Sequence, residues 1–380
     1  MPYTHIRYIG YQISTVADRP AGANRTDVKY GIAPGTINNP PDLYAPDKNL
    51  NGISNDAKVR IQRLVAVMLK AAQAISAIDR DTVLKVFVAP EFYFRPDNAE
   101  VSYSMDDYRH IKEVLRVTLA SYEEFKHWLI IPGTIMWKQD VDDTGKSSRI
   151  VNPFHDVYFN TSMYYKQGDN PFIPKSKVIE KHTASQIDGI PTGRHNRGVN
   201  ARPNDPTKKS APEEYPQYQS SAKIQKHLFT MNGLKFGLEI CLEHAYSATA
   251  ANDFRVIKKY LAGNGASPYA TGVDVHILTA GGMTINSRSV VAKRNGFIVR
   301  TDGYVNPNNP ATQIGKVLGY IGGMKPSQLN TNTQLRDLSK PWYKSISIPD
   351  TDNLYLAPPA GFEASWNSQK INIASSYKLP

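Results

Sequence analysis

The sequence predicts a mixed α/β protein in which mixed β-sheets are covered by helices. Two observations carry this. Apolar stretches of strand length alternate with stretches whose apolar residues recur at helical spacing. Turn signals also join neighbouring strand-like stretches as hairpins, at Gly168-Asp169-Asn170 and at Asn232-Gly233. Hairpins make neighbours antiparallel, so the sheets are not purely parallel.

The elements follow in order. "HIRYIGYQIS" (5–14) alternates and is rich in β-formers, which predicts a first strand. A Pro-, Gly- and Asn-rich loop runs over 18–55. "AKVRIQRLVAVMLKAAQAI" (57–75) has helical spacing and strong helix formers. "TVLKVFVAP" (82–90) is a buried strand that ends on Glu91. "SMDDYRHIKEVLRVTLASYEEF" (104–125) is a second helix, with Ser104 and Asp106 as start signals. "HWLIIPGTIMW" (127–137) is a strand with a break at Pro132-Gly133. "DVYFNTSMYYKQGD" and "PKSKVIEKHT" form one hairpin, and "HLFTMNGLKFGLEIC" (227–241) forms the other. Between them lies a polar loop, 184–222. A helix over 249–262 and a strand over 273–280 come next. "SRSVVAKRNGFIVRTDG" (287–303) reads as a helix leading into a strand. The tail is rich in Asn and Pro, with one strand-like stretch near 344–356. Residues 1–304 are expected to form one domain. Residues 305–380 are expected to be an extension packed on it or at a dimer interface.

Composition narrows the function. With 41% hydrophobic and 21% charged residues, the chain can bury a sizeable core. No apolar run approaches the roughly 18–20 residues that span a bilayer, and the N-terminal stretch does not read as a signal peptide. The net charge of +11 comes from scattered Lys and Arg with no dense basic run, so nucleic acid is not the expected partner. One cysteine in 380 residues excludes an intrachain disulfide and any multi-cysteine metal site. A reducing cytoplasm is the expected location.

That cysteine is Cys241. It ends the apolar run "FGLEI" and is followed at once by polar residues. In α/β folds ligands gather beyond the carboxyl ends of strands. Three polar residues fall at such ends: Glu91, Lys181 and Cys241. Together they have the parts for covalent acyl chemistry. A carboxylate takes the thiol proton, and an ammonium group holds the negative charge that develops on the substrate. Taken singly, each has a plainer reading: a core thiol, a solvated Glu, a surface Lys. Lys177 lies close by, and strand alternation puts it on the same face as Lys181.

"VFVAPEFYF", "KSKVIEKHTASQID" and "FGLEICLEH" resemble the Glu, Lys and Cys motifs of the nitrilase superfamily, the carbon–nitrogen hydrolases, in the same chain order. The likeness spans roughly residues 5–303. It implies an αββα four-layer sandwich of two mixed sheets flanked by helices, and a homodimer. It implies Cys241 as nucleophile, Glu91 as general base and acid, Lys181 as stabiliser of the tetrahedral intermediate, and the backbone N–H of Leu242 as second oxyanion donor. No metal or organic cofactor is implied. Lys181 is chosen over Lys177 because "KHTASQID" is the better match. A second active-site glutamate, common in the family, falls among Glu213, Glu214 and Glu239. Phe92, Tyr93, Phe94, Gly282 and Met283 are candidate pocket walls, together with Glu243 and His244, a pair similar to the nitrilase branch. The 184–222 loop is placed to act as a lid or rim.

The expected function is hydrolysis of a non-peptide carbon–nitrogen bond in a small amide. The alternatives are a true nitrilase, an acyltransferase, or a non-catalytic basic binding protein. An activated thiol would alkylate faster than an ordinary one.

Overall fold

A computed structural model describes residues 3–17, 29–45, 52–79, 81–98, 101–141, 155–166, 175–181, 224–249, 253–264, 268–304, 310–359 and 369–380. The 184–222 loop and the turn at Gly168-Asp169-Asn170 lie outside them.

The chain opens with β1 (His5–Gln12), followed by the short pair β2 (Val16–Ala17) and β3 (Lys29–Tyr30). Helix α1 (Asn55–Ile75) is capped by Ser54, whose side chain accepts from Ala57 N. Such a cap is worth about 1 kcal/mol. Its buried stripe includes Ile61, Leu64, Val65, Met68 and Ile75. Then come β4 (Val83–Val88) and α2 (Met105–Ser121), capped by Ser104 on Asp107 N with Asp106 and Asp107 in its first turn. Those acids face the positive end of the helix. β5 (Trp128–Ile131) and β6 (Thr134–Val141) are separated at Pro132-Gly133, where the sequence predicts a break. β7 (His155–Lys166) and β8 (Lys175–Glu180) pair as the predicted hairpin.

β9 (Leu228–Met231) and β10 (Leu234–Ile240) form the second hairpin. Asn232 and Gly233 turn it with φ of 50° and 80°. Positive φ at both turn residues matches the twist of the paired strands. After them come α3 (Val256–Gly263), β11 (Val273–Ala280), β12 (Ala292–Asp302) and β13 (Thr312–Tyr320). The chain ends with β14 (Thr333–Asp337), β15 (Lys344–Ile348), β16 (Gln369–Ile373) and β17 (Tyr377–Lys378).

Two mixed sheets result among the described residues. The first has nine strands, in the order β15-β16-β1-β4-β5-β7-β6, with β17 beside β1 and β8 beside β7. The second has six, β14-β13-β12-β11-β10-β9. Each has a parallel centre, β1-β4-β5 in one and β10-β11-β12 in the other, with antiparallel strands outside it.

The sheets share one core. Ile6, Tyr8, Leu84, Val86, Val88, Leu129 and Ile131 of the first cluster with Phe236, Leu238, Ile240, Val275, Ile277, Phe297 and Val299 of the second. Alternate residues of the first sheet, such as Ile9, Phe87 and Ile130, pack with α1 and α2 instead. On the second sheet, Val273, Ile298 and Val317 pack with Ile257 and Leu261 of α3. Strands buried on both faces lose the apolar–polar alternation, which is why β4 and β11 read as continuous apolar runs. Hydrogen bonds cross between the sheets: Tyr8 Oη donates to Arg300 O (2.5 Å) and Thr301 Oγ1 to Val88 O (3.0 Å).

Three expectations are corrected. Among the described residues the helix predicted over 249–262 is α3 alone, because Arg255 just before it has φ 22°, outside helical space; residues 250–252 lie outside them. No helix forms over 287–291; Ser287–Ser289 make a turn that leads straight into β12. Val291 N, at the end of that stretch, bonds to the buried His276 ring instead of to a helical carbonyl. The tail contributes far more than one strand. β13 and β14 extend the second sheet, and β15, β16 and β17 join the first. Their pairing partners are distant in sequence, and such long-range context outweighs local propensity. No helix among the described residues is long and apolar enough to cross a membrane.

Candidate active site

β4 and β5 are parallel, and β8 runs antiparallel to β7, which is antiparallel to β5. β8 therefore points the same way as β4, and the residues after their last positions emerge at the same edge of the sheet. Those residues are Glu91 and Lys181. Cys241 follows β10 of the facing sheet and meets them there.

Glu91 is held by several elements. Its N–H donates to Ala280 O at the end of β11 (3.2 Å), its carbonyl accepts from Thr15 Oγ1 (2.6 Å), and the next amide, Phe92 N, donates to Thr134 Oγ1 (2.8 Å). The side chain is fully buried. Lys181 Nζ donates to Glu91 Oε1 at 2.8 Å, and neither side chain has any solvent exposure. Asn160 Nδ2 donates to the same oxygen at 2.8 Å, while Asn160 O accepts from Lys181 N, also at 2.8 Å. One residue of β7 thus sets both members of the pair. Oε1 has two donors, and Oε2 faces Gly281. A β-carbon on Gly281 would lie 3.0 Å from Oε2 and 2.9 Å from the Phe92 ring, so the wall there has no room for a side chain.

Cys241 begins a one-turn helix, Cys241–His244, with a backbone φ of 49°. Its thiol is buried, close to the Glu91 carboxylate, Lys181 and the backbone of Gly281. Burial pushes the thiol pKa well up, and the negative charge of Glu91 adds to this; Lys181 and the Gly281 N–H oppose it. The resting group is a thiol beside a base rather than a free thiolate. This gives the opposite expectation for alkylation from an activated thiol. Iodoacetamide is expected to label native Cys241 slowly at neutral pH and faster as pH rises. Glu91→Gln removes one of the raising charges, so at pH about 8 it is expected to speed labelling about threefold or more. Labelling that is fast at neutral pH in wild type and unaffected by Glu91→Gln would contradict this geometry.

The other candidates fall in several places. Lys177 is exposed near the start of β8, so the structure sets Lys181, not Lys177, beside Glu91. The two share a face of the strand, but only the carboxyl end reaches the buried edge. Leu242 is half-buried one residue after the thiol. Phe92, with φ 62°, has its ring 5.8 Å from Lys181 Nζ, and Arg95 stacks on it at 4.6 Å. Tyr93 and Phe94 turn away into the core beneath α1 and α2. Gly282 N donates to Asp302 Oδ1 (2.6 Å), and Met283 packs at the rim of the inter-sheet core. Glu243 folds back on its own turn, its Oε2 accepting from Ile240 N at 2.8 Å. Glu213 and Glu214 lie outside the described residues. A cleft on the α1 flank, lined by Lys70, Gln73, Lys85 and Trp128, holds none of the three strand-end residues.

Glu239 sits on the opposite face of β10 from Leu238 and Ile240, so it points away from Glu91. Its Oε2 accepts from His244 Nδ1 (2.6 Å) and His276 Nε2 (3.0 Å). The three could be taken for metal ligands. Their hydrogen bonds argue otherwise. His244 Nε2 accepts from Asn286 N (3.2 Å) and His276 Nδ1 from Val291 N (3.3 Å). Each imidazole therefore carries its proton on the nitrogen that faces Glu239, where a metal would need a lone pair.

This cluster predicts acid sensitivity. Burial lowers the pKa of His244 and outweighs its bond to Glu239, so the imidazole stays neutral. Burial alone would raise the Glu239 carboxyl, but His276 and the hydrogen bonds of both imidazoles hold it down at about 2. Both folded values lie below the unfolded ones, so both contributions are present at neutral pH and lost as pH falls. The loss begins below the ordinary histidine value of 6.5 and continues from 4.5 down towards about 2. The Glu239 part is about 3 kcal/mol. Urea unfolding at stepped pH checks this: Glu239→Gln should flatten the acid limb, and parallel loss in variant and wild type would refute it.

Sequence reading missed Asn160, Thr15, Thr134 and Asp302. Asn160 had a signal, a lone amide on the buried side of a β-rich stretch. The rest act through backbone contacts that leave little trace in residue type. No protein-family model matches this chain, and no match is found among curated proteins.

Proposed function

We propose that this protein is a hydrolase of non-peptide carbon–nitrogen bonds, of the nitrilase type, acting on a small amide. The observation that carries the reading is the buried Glu91–Lys181 pair set against the Cys241 thiol at the carboxyl ends of strands from two facing sheets. The layer order, helices, sheet, sheet, helix, supports reading the fold as an αββα sandwich.

Glu91 takes the thiol proton as Sγ attacks the carbonyl carbon. The oxyanion that forms is held by the Lys181 ammonium and the Leu242 backbone N–H. The proton on Glu91 passes to the nitrogen, the carbon–nitrogen bond breaks, and a thioester remains. Water then gives a proton to Glu91 and attacks the thioester carbon. The acid is released, and Sγ takes the proton back. No step in this reading draws on a metal or organic cofactor. The same groups would carry a nitrile through a thioimidate.

The test is a panel of small amides and nitriles, with ammonia release read for wild type and Cys241→Ala side by side. Ammonia from amides that depends on Cys241 supports the reading. Release from nitriles alone would move the substrate class to nitriles. Release that persists in the variant would end the reading.

A further inference from the structure

Glu239, His244 and His276 are buried beneath the thiol, yet the chemistry above uses none of them. They form a closed set. Glu239 Oε2 receives both imidazole N–H groups, and Oε1 accepts from Ile257 N at 3.1 Å. The far nitrogens of the imidazoles accept from Asn286 and Val291, within and at the end of the 281–291 stretch. That stretch begins with Gly281, which lies against Glu91 Oε2 with no room for a β-carbon. His244 itself ends the turn that Cys241 begins.

The arrangement answers a problem of strain. A non-glycine residue in left-handed backbone, as Cys241 is at φ 49°, costs on the order of 1 kcal/mol or more and persists only where the surroundings enforce it. The enforcing contacts lie on both sides. Glu243 ties the turn to the end of β10 from within, and His244 ties it to Glu239 from below.

We propose that Glu239, through His244 and His276, is a positioning latch: it locks the Cys241 turn to the 281–291 stretch, so that the thiol, the Glu91 carboxylate and Gly281 keep their relative places. The latch itself concerns only the geometry of the thiol. Its bearing on turnover rests on the hydrolase reading.

Cys241 is the only cysteine, so alkylation of the native protein reports this one position without any substrate. His244→Ala is expected to loosen the turn, move the thiol off Glu91 and speed iodoacetamide labelling about tenfold. His244→Gln still offers one donor and one acceptor, and is expected to stay within about twofold of wild type. Leu115→Ala, in the distant α2 core, lowers the Tm but is expected to leave labelling unchanged. If His244→Ala does not fold, Glu239→Gln takes its place with the same expected acceleration. A folded latch variant that labels at or below the wild-type rate overturns the proposal. So does equal acceleration by Leu115→Ala, since that would report general loosening. Given a substrate, the latch variants should lose kcat about tenfold with KM little changed. If no substrate is found, the labelling result decides the latch alone.

Discussion

Cys241→Ala is expected to lower turnover about a thousandfold or more while the protein stays folded. The reason is that no other group can replace the thiol. It is the only cysteine, it lies beside the Glu91 carboxylate, and the attack needs a nucleophile at that atom. The cost to stability should be small, about 1 kcal/mol, because alanine fills most of the same space and keeps the same backbone. Circular dichroism and a melting curve check the fold, and ammonia release checks the loss. Cys241→Ser sharpens the result. It keeps the size and a hydrogen-bond donor but offers a far weaker nucleophile, so it too should be nearly inactive. Turnover within a few-fold of wild type in either variant would return Cys241 to the role of a core residue.

Lys181→Ala is expected to cost far more than Lys177→Ala, in both rate and stability. Lys181 is fully buried and 2.8 Å from Glu91. Its removal leaves a buried carboxylate without its cation, a loss of about 3–5 kcal/mol. Turnover should fall about a hundredfold or more, because the developing oxyanion loses its charged partner. Lys177 is exposed near the start of β8, and a surface lysine there is worth within about 0.5 kcal/mol. Lys181→Met separates the two effects. It restores bulk in the buried site but not charge, so stability should recover in part while turnover does not. The reverse ranking of Lys177→Ala and Lys181→Ala would move the role to Lys177.

How much was legible beforehand differs by element. α1 and α2 were read from their regular apolar stripes, and α2 with its Ser104 start signal, because such signals act within one or two turns. The Asn232-Gly233 hairpin was readable for the same reason: positive φ at two consecutive residues is a local demand with a chemical signature. The supposed helix over 287–291 was not readable. Its longer-range backbone partners, His276 for Val291 N and Thr333 N for Ser287 O, are distant in sequence. The strands of the tail were hidden in the same way, since β16 is a strand only because β1 and β15 flank it.

The site divides along the same line. The sequence alone determined that Glu91, Lys181 and Cys241 follow apolar, strand-forming stretches, because strand periodicity and the choice of residue after the last apolar position are local properties. Strand periodicity could not separate Lys181 from Lys177, which share a face, and only the motif resemblance favoured Lys181. The sequence left Glu239 among possible active-site residues, and it read the thiol as activated. Tertiary structure decided all three. Burial depth sets Lys181 apart from Lys177. The two-fold alternation of β10, once Leu238 and Ile240 are fixed in the inter-sheet core, turns Glu239 to the opposite side. The thiol is kept protonated by desolvation and by a carboxylate 150 positions away in the chain. Charge and dielectric act through space, so a group's protonation state belongs to the folded neighbourhood and not to the segment that carries it.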